Sequence, residues 1–106
     1  MEIRVIACRV GKPPELAQLR NNIEALQQFV GGALERVALG KSVALICRVE
    51  DDIGGSPNRY LPITGGHALI RGDFFIAAHG PEELASMTDE QVGTWTERAA
   101  AWQAAH

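Results

Sequence analysis

Residues 2–10 (EIRVIACRV) alternate along the chain, with Ile3, Val5 and Ala7 on one side and Arg4, Ile6 and Cys8 on the other. β-Branched residues on both sides predict a strand in a largely buried environment. Gly11-Lys12-Pro13-Pro14 ends it as a turn, and residues 15–20 (ELAQLR) predict a second strand hairpinned onto the first. The period then lengthens. Asn21 to Val30 reads as a helix, with Asn21 as cap, Glu24 completing a capping box, and Ile23, Leu26, Phe29 and Val30 along one face. Gly31-Gly32 stops it, because glycine enters the left-handed conformation without a Cβ penalty.

Residues 33–39 (ALERVAL) and 42–50 (SVALICRVE) predict two strands joined by a type II′ turn at Gly40-Lys41. Asp51 to Gly66, with Pro57, Pro62 and four glycines, reads as the one long irregular stretch, and loops of that length in small domains are usually functional or disordered. Residues 67–78 (HALIRGDFFIAA) predict a further strand, bent at Gly72. Gly80-Pro81-Glu82-Glu83 opens a short helical turn, and Thr88-Asp89-Glu90-Gln91 is a capping box that starts a helix to about residue 105, with Val92, Trp95, Ala99 and Trp102 as its apolar stripe. The expected fold is a single α+β domain over residues 1–106: four or five mostly antiparallel strands, with the 21–30 and 89–105 helices on one face.

At 106 residues and 46% hydrophobic content the chain suffices for one core. Ten basic and thirteen acidic residues, a net charge of -3, argue against general nucleic-acid binding, which shows as a basic excess. Cys8 and Cys47 stand far apart in apolar runs, which predicts buried reduced thiols rather than a zinc site, with one disulfide between neighbouring strands as the alternative. Met1-Glu2-Ile3-Arg4 opens directly into the strand pattern, and no apolar run approaches the roughly 20 residues a membrane helix needs. The expected setting is the cytoplasm, without a membrane and without a cofactor.

Chemistry concentrates in Gly54-Gly55-Ser56-Pro57-Asn58-Arg59-Tyr60. Asn58 offers an amide, Arg59 a planar fork and Tyr60 a stacking face for an anion or nucleotide. The alternative is that Asn58 closes a turn and Arg59 pairs with Glu35 or Asp73. Arg71 and Asp73 flank Gly72, which would let the backbone approach a ligand or partner closely, but a β-bulge that bends the strand is the preferred reading. Gly31-Gly32 is a helix stop rather than a phosphate cradle. His67 and His79 sit a strand apart as solvated strand ends, and Glu50-Asp51-Asp52 reads as a solvated turn more readily than a cation site. Ser42 and Ser56 lack GxSxG context, so no catalytic residue and no metal ligand is nominated. Trp95 and Trp102, seven apart on one helix face, serve either the core or a partner interface, where tryptophan is enriched.

The order of these motifs resembles a known family. Asn22, Leu26-Gln27, Val30-Gly31-Gly32 and Glu35 are similar to the N-terminal signature of the domain-of-unknown-function 3846 family. Pro57-Asn58-Arg59, Gly72-Asp73-Phe74-Phe75-Ile76 and Ser86-Met87-Thr88-Asp89-Glu90-Gln91 follow in the family's order, so the resemblance spans about residues 3–92. Arg48-Val49-Glu50 departs from the family's Asn-Glu after the third strand, and Glu50-Asp51-Asp52 lacks its Gly-Lys pattern. The resemblance implies a small accessory protein of a bacteriophage, plasmid or other mobile element and carries no activity with it. The expected function is therefore non-enzymatic anti-defence: a homo-oligomer that sequesters a small nucleotide-type immune signal. A protein–protein inhibitor or adaptor acting through the 89–105 helix or a sheet edge is the second expectation, and a small hydrolase the third.

Overall fold

Three strands whose side chains are apolar on both faces organise the molecule. In the computed structural model, which describes residues 1–49 and 55–105, these are β1 (Glu2–Cys8), β4 (Val43–Arg48) and β7 (Phe74–His79). The remaining elements in chain order are β2 (Glu15–Arg20), α1 (Ile23–Val30), β3 (Leu34–Gly40), β5 (Pro57–Ile63), β6 (Gly66–Arg71), β8 (Leu84–Ala85), α2 (Asp89–Ala100) and β9 (Gln103–Ala104). The large sheet runs β2-β1-β7-β4-β3, with β8 paired to β7, and a second sheet runs β6-β5-β9. Every described pairing is antiparallel. The chain is thus a single α+β domain with two helices.

Strand alternation divides the core in two. Ile3, Val5, Ala44, Ile46, Phe75 and Ala77 pack under α1 with Leu26 and Val30. Ile6, Cys8, Leu45, Phe74 and Ile76 point the other way and meet Trp95 and Ala99 of α2 with Leu61 and Ile70 of the second sheet. The helices therefore cover opposite faces, not one face as expected. A sheet whose central strands are apolar on both sides needs cover on both.

Three boundaries differ from the sequence reading. Asn22, not Asn21, caps α1: its side chain accepts the Ala25 amide at 2.8 Å, so the Asn21–Glu24 box does not form. Asn21 instead donates its side-chain amide to the Leu84 carbonyl, and Ile23, one position inside the helix, is 59% exposed. The β3–β4 turn falls at Lys41-Ser42, with Ser42 at φ +62°. Gly40 stays in the strand, where a Cβ would meet the Trp95 ring at 3.3 Å. Gly80-Pro81-Glu82-Glu83 is a hairpin turn leading β7 into β8, closed by Gly80 N–H donating to the Glu83 carbonyl at 2.8 Å, rather than a helical turn. Gly31 at φ +88° and the complete Thr88–Gln91 capping box are as expected.

The second sheet is the larger departure. The expected 51–66 loop contains β5, and the expected 67–78 strand is two strands in different sheets, separated at Gly72 (φ +74°). Proline is tolerated in β5 because Pro57 opens the strand and Pro62 stands one pair from the Thr64-Gly65 turn, beyond the reach of β9. α2 stops at Ala100, short of residue 105, since Gln103 and Ala104 pair with Tyr60 and Arg59 and pull the alanine-rich tail into the sheet.

Candidate functional site

Side-chain direction in β5 decides the fate of the polar segment. Leu61 is in the core, and Arg59 shares its parity, so the guanidinium is carried inward with it. Asn58 lies at a register shift between Pro57 and Arg59 and is also turned in. The two are only 1% and 6% exposed. Asn58 Nδ2 donates to the Cys8 carbonyl at 2.9 Å and the Gly72 carbonyl at 2.8 Å. Arg59 donates to Asn58 Oδ1 and to the Lys12 carbonyl. The expectation that this amide and fork face outward is corrected: they join the two sheets. Nor does Arg59 pair with Glu35 or Asp73.

The other nominated residues scatter. Tyr60 faces solvent between Leu69 and Gln103 on the outer side of the small sheet. Asp73 accepts the Val10 amide at 2.9 Å and ties the β6–β7 corner to the β1–β2 turn. Arg71 is half-buried, with Nη1 3.5 Å from the Gly55 carbonyl, and lines a hollow of about 160 Å³ with Arg48, away from Arg59. Trp95 is buried with the Arg98 guanidinium 4.6 Å above its ring, and Trp102 packs on Phe74 at 6.3 Å. Both tryptophans thus pack against the core, Trp102 remaining partly exposed. Glu50-Asp51-Asp52, Gly54 and His106 lie outside the described residues. His67 is exposed at the start of β6, and His79 Nδ1 lies 3.1 Å from the Gly80 carbonyl. Among the described residues no cluster of His, Cys, Asp or Glu is placed to hold a metal ion, and no helix is long and apolar enough to cross a membrane.

What the fold does assemble is a sheet edge. β3 is the last strand of the large sheet. The Val49 amide donates to the Ala33 carbonyl, which sets the hydrogen-bonded pairs at 33/49, 35/47 and 37/45. Leu34, Arg36 and Ala38 then turn their N–H and C=O groups outward. A hollow lies on each side of this edge. On the α1 side, Leu26, Leu34, Ile46 and Leu84 form the apolar part of a groove of about 500 Å³ rimmed by Arg36, Glu82 and Glu83. On the other side, Val37, Leu61 and Ile63 line the smaller hollow that also holds Arg48 and Arg71, and Ile63 is 50% exposed. Sequence reasoning missed these residues. The alternation of 33–39 identifies a strand, but nothing in it says that the strand is last in its sheet.

These features define a two-sheet α+β domain whose buried Asn58 and Arg59 join the sheets and whose β3 edge turns main-chain groups outward. The chain belongs to the family described as Domain of unknown function (DUF3846), whose model matches residues 3–100. No curated protein and no solved structure matches it.

Two outcomes follow from the buried cluster. Asn58→Ala leaves the Cys8 and Gly72 carbonyls without their shared donor and is expected to cost about 2–3 kcal/mol in urea unfolding. A wild-type-like midpoint would place the donor elsewhere. Burial pushes the Cys8 thiol up from 9.0 to about 12, with Arg59 opposing. The folded chain keeps this proton while the unfolded chain releases it from about pH 9, so the stabilisation is complete below pH 9 and lost as pH rises toward 12. Urea midpoints from pH 8 to 10.5 should fall more steeply for the wild type than for Cys8→Ala, and parallel curves would contradict the assignment.

Proposed function

We propose that this chain is a non-enzymatic adaptor or inhibitor that takes an extended segment of another protein onto β3. The observation that carries this reading is the row of outward main-chain groups at Leu34, Arg36 and Ala38 between two hollows. Strand addition draws its affinity from such hydrogen bonds and its selectivity from pockets for alternate side chains. The motif order shared with accessory proteins of mobile elements supports a phage, plasmid or related element as its setting and a host protein as its target. The buried thiols of Cys8 and Cys47 support work in the cytoplasm. Peptides selected from a displayed library of random 12-residue sequences should slow amide hydrogen exchange at Leu34, Arg36 and Ala38. Selected peptides that leave all three amides unprotected would overturn the reading.

A second reading keeps the nucleotide signal as ligand, held by a homo-oligomer, because Arg48 and Arg71 line one hollow. Its volume of about 160 Å³ is below the roughly 300–1,000 Å³ of small-molecule sites, so a nucleotide would have to widen it. Thermal-shift measurements with cyclic and linear nucleotides discriminate. A concentration-dependent rise in melting temperature that Arg71→Ala removes supports this reading, and no rise with any nucleotide excludes it.

A further inference from the structure

We infer that the segment taken up by β3 alternates basic and apolar residues, with its basic side chains in the groove beneath α1. This rests on the strand-addition reading and specifies its partner. A strand laid along β3 sends successive side chains to opposite faces of the sheet. Those level with Val37 enter the space between the sheets, where Val37, Leu61 and Ile63 present apolar surface. Those level with Leu34, Arg36 and Ala38 enter the opposite groove, which combines an apolar lining of Leu26, Leu34, Ile46 and Leu84 with Glu82 and Glu83 at its rim. Lysine and arginine suit that combination, since the aliphatic stem covers apolar surface while the charged head reaches the carboxylates. Glu35 shares the parity of Val37 and lines the opposite hollow with Arg48 and Arg71, so the acidic character of the groove comes from Glu82 and Glu83.

Among the described residues Arg36 is the one cation lining the groove. It disfavours a basic residue directly opposite itself, so the cations of the segment fall at the flanking positions of the same face. A second copy of the chain suits the edge less well. Antiparallel pairing of β3 with its own copy keeps the two α1 faces on the same side of the joined sheet, which sets two acidic rims beside one another. The net charge of -3 adds to that repulsion. A basic partner gains from the same field.

The test uses three acetylated, amidated nine-residue peptides with valine at alternate positions and lysine, glutamine or glutamate at the rest. Each is titrated into the full chain by fluorescence anisotropy at 50 and 500 mM salt, with amide exchange at β3 recorded in parallel. The lysine peptide is expected to bind at least tenfold more tightly than the glutamate peptide at low salt, with the gap narrowing at high salt. Combining Glu82→Lys and Glu83→Lys, both exposed on a hairpin turn, should reverse the order. Equal affinities with Leu34, Arg36 and Ala38 protected would overturn the charge preference and leave strand addition standing. Failure of every peptide to protect those amides would remove both. Sedimentation showing a dimer whose β3 amides are already protected would assign the edge to a second copy and overturn the inference.

Discussion

One carboxamide fixes the relation between the two sheets. Asn58 hands one N–H to the end of β1 and the other to the corner after β6, while its oxygen accepts from Arg59, which reaches on to the Lys12 carbonyl. Its own carbonyl accepts the Ala105 amide, so the last described residue is tied to the same point. Buried polar groups are costly unless satisfied, and satisfied ones specify a single arrangement. No buried side-chain nitrogen or oxygen among the described residues lacks a partner. A small sheet that shares only a short corner with the large one is thereby set at a definite angle over Phe74 and Ile76.

The parts of this fold that were legible were those signalled locally. β1, β3 and β4 announce themselves by alternation and β-branched residues, and the glycine at position 31 and the box at Thr88 mark helix ends through backbone geometry that needs no tertiary context. β5 was hidden by its prolines, whose positions become harmless only once its neighbours are known. The 67–78 run reads as continuous because alternation does not register a change of sheet. A clue to the helices' placement was present but not followed: residues 2–10 are apolar on both sides, and that already calls for cover above and below.

The candidate site failed to show for a related reason. A glycine- and proline-bounded segment with an amide and a guanidinium looks like a ligand loop, yet the parity linking Arg59 to Leu61 turns the same groups into internal fasteners. Polar residues that recur in a family's motif order are here explained by architecture, at Asn58, Arg59 and Asp73 alike. The surface proposed for a partner is built from main chain and from residues with no special chemistry of their own. Such a surface selects by shape, alternation and charge, and its individual side chains can vary while the edge persists.

The division of the core by β1, β4 and β7 has a consequence for how chain length can vary. Phe74 and Phe75 are adjacent, yet one meets Trp102 and the other stacks edge-on with Phe29 on the far side of the sheet. Inserting or deleting a single residue within any of these three strands would exchange the occupants of the two compartments, sending aromatic bulk where alanine fits and the reverse. Length changes are therefore accommodated most readily in the connections, at residues 9–14, 41–42 and 80–83, where they leave the registers of the three central strands intact.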